Sequence, residues 1–120
     1  YELKNNFFGI LFMETVIEID PTSAHQLISN NEAILIDVRE ENEIIQTAVE
    51  GAIHIPMSNF DPSLIPIESS KKIIFLCSQG IRSLQVSEYL ISQGIIKGAY
   101  NLSGGLAAWI QVGLPIQTNK

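Results

Sequence analysis

The sequence predicts an α/β domain built on a mostly parallel sheet with helices on both faces. Three observations carry this. Short apolar runs alternate with helix-like segments along the chain, which calls for crossover connections and therefore parallel strands. The run Ala33-Ile34-Leu35-Ile36-Asp37-Val38 is almost continuously apolar, as expected of a strand buried on both faces. And 120 residues with 46% hydrophobic and 17% charged side chains suit one core in one globular domain.

Taken in order, Val16 to Ile19 reads as a short strand, and Asp20-Pro21 caps a helix running to about Ser29, with proline in its first turn. Ala33 to Val38 is the second strand. Glu40 to Gln46 reads as a short acidic helix, and Gly51 to Ile55 as a third strand stopped by Pro56. Pro62 and Pro66 leave room only for short helical pieces in the next stretch. Lys72 to Leu76 is the fourth strand, followed by a helix from Ser83 to Gln93. Ala99 to Leu102 is the fifth strand. Gly104-Gly105 opens a last helix to about Gln111, which Gly113 closes and Pro115 cannot continue. Residues 1–13 do not share this pattern and read as an N-terminal extension ahead of a domain spanning 14–120. Phe7, Phe8, Leu11 and Phe12 in it are expected to fold back on the domain or pack in a dimer; a docking surface is the functional alternative.

Composition narrows the function. Seven basic against thirteen acidic residues give a net charge of −6 with no basic stripe, which disfavours direct nucleic-acid binding. The longest apolar run, Phe7 to Met13, is seven residues and far too short to span a bilayer. No signal peptide is evident. A single cysteine excludes an intramolecular disulfide, no Cys/His set suggests a metal, and a reducing, cytoplasmic location is expected.

That one cysteine, Cys77, is the most informative residue. It ends the run Ile73-Ile74-Phe75-Leu76 and opens Cys77-Ser78-Gln79-Gly80-Ile81-Arg82-Ser83. Alone, a cysteine at a strand end reads as a small core hydrophobe. Here a tight loop joins the strand to a helix, so successive N–H groups turn inward as an anion nest and the helix start adds its positive end. Both favour a thiolate. Gly80 permits a turn closed to other residues, and Arg82 is expected to hold loop carbonyls or an incoming oxyanion. Ligands of parallel sheets bind at the carboxyl ends of strands, where Cys77 lies.

With these residues on view, the loop resembles the active-site loop of rhodanese sulfurtransferases, whose single-domain members often show Cys-x-x-Gly-x-Arg-Ser. Three further segments resemble the family in the same order: Asp37-Val38-Arg39, Gly51-Ala52-Ile53-His54-Ile55-Pro56, and Gly104-Gly105 with Trp109, Gly113 and Pro115. The resemblance implies a rhodanese-like three-layer fold around a central, mostly parallel five-stranded sheet. It implies catalysis by Cys77 and Arg82, with Ser78, Gln79, Gly80, Ile81 and Ser83 forming the substrate and anion-binding loop. It further implies a Cys77 persulfide, formed from a small donor such as thiosulfate or a persulfide and discharged to a thiol, cyanide or a protein acceptor, without metal or organic cofactor. A monomer or weak homodimer is expected.

Rhodanese-like phosphatases and arsenate reductases carry one more residue between cysteine and arginine. The four residues between Cys77 and Arg82 favour sulfur over phosphate. A sulfur-carrier or binding module with little turnover of its own is the other alternative. Thr47-Ala48-Val49 replaces the Gly-His-Ile of many relatives, a change expected to be structural. Ser78 and Gln79 stand where strongly thiosulfate-active members often have a basic residue, so weak thiosulfate activity is expected. His54 is expected to be structural rather than a base, and His25 an exposed helix residue. Asp37 is expected to support the loop or to cap the helix near Glu40, with Arg39 paired nearby. Trp109, flanked at helical spacing by Leu106 and Ile110, is expected in the core.

Overall fold

The computed structural model describes residues 16–67 and 70–118; the extension of residues 1–13 lies outside them. Seven strands form: β1 (Val16–Ile19), β2 (Ala33–Asp37), β3 (Thr47–Ala48), β4 (Ile53–His54), β5 (Lys72–Leu76), β6 (Ala99–Leu102) and β7 (Gln117–Thr118). The helices are α1 (Pro21–Ser29), α2 (Glu41–Ile44), α3 (Ile81–Ser92) and α4 (Gly105–Gln111), and single 3-10 turns cover Met57–Asn59 and Pro62–Leu64. Five strands make a sheet in the order β1-β6-β5-β2-β4, parallel at every pairing.

Alternate residues of the central strands feed two cores, which is why these strands read as unbroken apolar runs. Ile36, Val38, Phe75 and Cys77 pack with Val86 and Leu90 of α3 on one face. Leu35, Ile74, Leu76 and Leu102 pack with Ala24 of α1 and with Leu106 and Trp109 of α4 on the other. This is the expected three-layer arrangement. The register sets Asp37 opposite Leu76, so the ends of β2 and β5 lie side by side and Cys77 follows at that edge.

Local signals explain most boundaries. Asp20 caps α1, accepting from the Ser23 N–H at 3.1 Å, and Pro21 fills the first turn, where a missing N–H costs nothing. Trp109 is buried and its Nε1 donates to the Pro115 carbonyl at 2.9 Å, tying the chain beyond α4 back onto the helix.

Four expectations change. The helix after Cys77 begins at Ile81, not Ser83, because Gly80 at φ 95° serves as its N-cap, so Arg82 belongs to the first turn. The acidic helix is one turn, since Thr47–Ala48 is drawn into a small antiparallel ribbon with β7 that the sequence reading lacked. The third strand shrinks to Ile53–His54, an edge strand paired only with Ile36 and Asp37. His25 is half-buried rather than exposed, its ring meeting Trp109 edge-on with centroids 5.5 Å apart.

Replacing Trp109 by alanine empties a large buried volume and orphans the Pro115 carbonyl. The expected loss is about 3–5 kcal/mol in urea unfolding followed by circular dichroism. Ile110→Ala, on the exposed side of the same helix, is expected to stay within about 0.5 kcal/mol.

Candidate active site

Cys77 sits at the carboxyl end of the middle strand of the sheet, in a loop held from behind by α4. The N–H groups of Leu106 and Ala107, in the first turn of α4, donate to the carbonyls of Cys77 (2.8 Å) and Ser78 (3.0 Å). With those carbonyls turned to the helix, the loop's N–H groups face inward. Gly80 N and Ser83 N lie 3.1 and 3.3 Å from the Cys77 Sγ, and Ser83 Oγ lies 3.2 Å from it.

So close an approach needs Gly105. A Cβ there would fall 2.5 Å from the Cys77 carbonyl oxygen and 2.6 Å from Gln79 N, and its φ of 65° is left-handed besides. Gly80 meets the same demand within the loop, with φ 95° and a Cβ position 3.3 Å from both Gly104 N and Leu102 O.

Burial is the largest single influence on the thiol and pushes its pKa up. The Ser83 hydroxyl, with the backbone N–H groups of Ser83, Gln79 and Gly80, outweighs it, and the net displacement is below the ordinary thiol value. The loop residues therefore divide their work. Gln79, Gly80 and Ser83 act on Sγ, whereas Cys77, Ser78, Gln79, Ile81 and Arg82 line an open depression of about 290 Å³.

Of the two roles expected for Arg82, holding loop carbonyls or an incoming oxyanion, the first falls to α4. Arg82 Nη1 and Nη2 instead bind the two carboxylate oxygens of Glu43 at 2.9 Å each, and Nη2 reaches Ser78 Oγ at 3.1 Å. Ser78 Oγ donates to Glu43 at 3.1 Å, closing a triangle of three side chains. The Arg82 guanidinium, as hydrogen-bond partner first, holds the Glu43 carboxyl down to about 2 against partial burial, and Glu43 in turn raises Arg82.

Asp37 and Arg39 pair with each other at the end of β2. Arg39 Nη2 lies 2.9 Å from Asp37 Oδ2, Arg39 N donates to Oδ1 at 3.0 Å, and Nη2 also reaches the Thr47 carbonyl at 2.7 Å. Asp37 therefore supports this corner and does not cap α2. Glu40 is the cap, its N–H donating to Glu43 Oε2 at 3.0 Å. His54 Nε2 lies 2.7 Å from the Arg39 carbonyl, which only accepts, so His54 is a donor fixing the same corner.

Two residues of the site escaped the sequence reading. Asn101 is buried in β6. Its Oδ1 lies 2.6 Å from Ser83 Oγ and shares with Cys77 Sγ the one proton that this hydroxyl can donate, and its Nδ2 donates to the Gly80 carbonyl at 3.0 Å and to the Glu18 carboxylate at 3.0 and 3.2 Å. It thereby fixes both ends of the Gly80–Ser83 segment. The signal was a polar residue inside the apolar strand Ala99-Tyr100-Asn101-Leu102. Glu43 was visible only as one carboxylate of an acidic helix.

The geometry defines a parallel α/β domain carrying a buried cysteine in a loop whose N–H groups converge on its sulfur. The family model of the rhodanese-like domain matches residues 20–112, and the chain belongs to that family. It is 35% identical to an Allochromatium vinosum sulfurtransferase, over 84% of this chain and 94% of that protein. It is 29% identical to the Glaesserella parasuis thiosulfate sulfurtransferase GlpE, over 87% and 95%. An uncharacterised Synechocystis protein is 35% identical over 89% of this chain, which spans 59% of that relative's length. Among solved structures, a rhodanese-related protein of Thermoplasma volcanium superposes with a TM-score of 0.69 at 28% identity, covering 84% of this chain and 97% of the other. A Rhodopseudomonas palustris protein of unknown function, described as a possible tyrosine phosphatase, superposes at 0.72 with 20% identity, over 87% of this chain and 86% of that one; this likeness is one of fold.

Two predictions follow from the loop. The rate of Cys77 alkylation by iodoacetamide is expected to reach half its maximum at lower pH than that of a cysteine peptide measured in parallel, and Ser83→Ala to move that midpoint upward. Gly105→Ala, which drives a methyl group into the loop backbone, is expected to lower stability by about 2 kcal/mol or more in chemical denaturation.

Proposed function

We propose that this domain is a sulfurtransferase that carries a sulfane sulfur as a persulfide on Cys77. The observation that carries the reading is the convergence of the Gly80 and Ser83 N–H groups and the Ser83 hydroxyl on one sulfur, at 3.1 to 3.3 Å, at the bottom of a small open depression. Such a ring stabilises a sulfur anion without a metal.

In the first half-reaction the Cys77 thiolate attacks the outer sulfur of a donor. With thiosulfate, an S–S bond forms to Cys77, the donor's S–S bond breaks, and sulfite leaves with the electron pair. The negative charge then resides on the terminal persulfide sulfur, within reach of the loop's donors. In the second half-reaction a thiolate, cyanide or a protein thiol attacks that terminal sulfur and releases the Cys77 thiolate. Two half-reactions through one covalent intermediate give ping-pong kinetics. The loop residues Ser78, Gln79, Gly80, Ile81 and Ser83 contact the transferred sulfur or its donor. Arg82 anchors the mouth, and Asp37 with Arg39 supports it from the neighbouring strand. The lone thiol suits a reducing compartment such as the cytoplasm.

Intact mass spectrometry after incubation with thiosulfate or cysteine persulfide tests this. The expected product is heavier by one sulfur, reverts with cyanide or dithiothreitol, and is absent in Cys77→Ser. Hydrolysis of an aryl phosphate with no added sulfur would replace this reading with a phosphatase. A stable persulfide that no acceptor discharges would make the domain a sulfur carrier.

A further inference from the structure

We propose that Glu43 sets the donor preference of the Cys77 site by cancelling the charge of Arg82, so that the site takes a donor of lower charge, such as cysteine persulfide, in preference to a dianion such as thiosulfate. The inference rests on the sulfurtransferase reading above.

Among the described residues, Arg82 is the only charged one lining the depression over Cys77. It is bound through both terminal nitrogens to both oxygens of Glu43, the geometry in which a guanidinium and a carboxylate satisfy one another most fully. The carboxylate is itself immobilised, because it also accepts from Ser78 Oγ and from the backbone N–H of Glu40. The pair is half-buried, with side-chain exposures of 34% and 27%, and its geometry is fixed by these additional hydrogen bonds rather than by burial. An arriving sulfonate therefore meets a neutral pair rather than a cation.

Nothing nearby replaces that charge among the described residues. Arg39, the other arginine, is buried and paired with Asp37. Lys71 and Lys72 lie at the amino end of β5 and Lys97 just before β6, on the side of the sheet opposite Cys77. Four residue steps of strand separate Lys72 from Leu76, which is about 13 Å and beyond the screening length at physiological salt. The mouth of the site is thus without an unpaired cation among the described residues, while its floor, the ring of N–H groups, suits one anionic sulfur. A transferred sulfur satisfies the floor. The two charges of thiosulfate, with three sulfonate oxygens left at the mouth, do not find a cation there.

Paired electrophiles measure this without assuming sulfur transfer. The rate constants of Cys77 with iodoacetate, an anion, and iodoacetamide, its neutral analogue, are compared at low ionic strength. Glu43→Gln is expected to raise the iodoacetate-to-iodoacetamide ratio about three- to tenfold, and Glu43→Asp, which keeps the charge, to leave it near that of the unaltered protein. The ratio of thiosulfate loading to cysteine persulfide loading, read by intact mass, is expected to rise in the same variant by at least as much. In the unaltered protein, added salt is expected to speed thiosulfate loading by screening repulsion. An unchanged ratio in Glu43→Gln, or thiosulfate loading slowed by salt, would overturn the assignment. A shifted alkylation ratio with neither donor loading Cys77 would leave the electrostatic role of Glu43 standing and remove the sulfurtransferase reading instead.

Discussion

The site depends on one backbone contact, the seating of the Cys77 loop against the first turn of α4. Leu106 and Ala107 take the carbonyls of Cys77 and Ser78, and only then are the loop's N–H groups free to converge on the sulfur. The absence of a side chain at Gly105 permits the contact, since any Cβ would overlap the loop backbone. The sulfur is thus held by two helices at once. One donates from its own start to the sulfur, and the other binds the carbonyls that would otherwise compete for space around it.

This arrangement separates the stabilisation of the sulfur from the handling of charge at the mouth. The donors to Sγ are uncharged N–H and O–H groups, fixed by Asn101 on one side and by α4 on the other. Both arginines of the carboxyl end are committed to carboxylates, Arg82 to Glu43 and Arg39 to Asp37. On the sulfurtransferase reading we propose, a preorganised ring of dipoles costs little reorganisation when charge moves from the cysteine sulfur to a sulfur bonded to it. It also explains how a chain with net charge −6 maintains a site for an anionic sulfur.

The two glycine-rich segments are linked through space by the same logic. Gly80 caps α3 and Gly104 caps α4, each with a positive φ, and the Cβ that Gly80 lacks would meet the Gly104 N–H. They lie over twenty residues apart in sequence, yet they serve one junction in which two strand-to-helix turns pack face to face. Asn101, on the strand leading into the second turn, crosses to the Gly80 carbonyl and so belongs to both.

Much of this was legible in the sequence. The apolar runs of β2 and β5, the Asp20-Pro21 helix start, the Gly113 stop and the buried Trp109 each rest on local chemistry that a linear reading detects. The same holds for Cys77, because a strand end, a glycine and a helix start within seven residues restrict what the backbone can do. What the sequence could not give was the partner of each polar side chain. Arg82 was expected to hold loop carbonyls or an incoming oxyanion, yet it is paired with Glu43, thirty-nine positions away in sequence. The carbonyls expected for Arg82 went to α4, and the ribbon of β3 with β7 shortened the acidic helix. Secondary structure and the place of Cys77 at a strand end were determined locally, through periodicity and turn chemistry. The charge state of the site's mouth was decided only by tertiary structure, because an ion pair between distant segments exists only once the fold has brought them together.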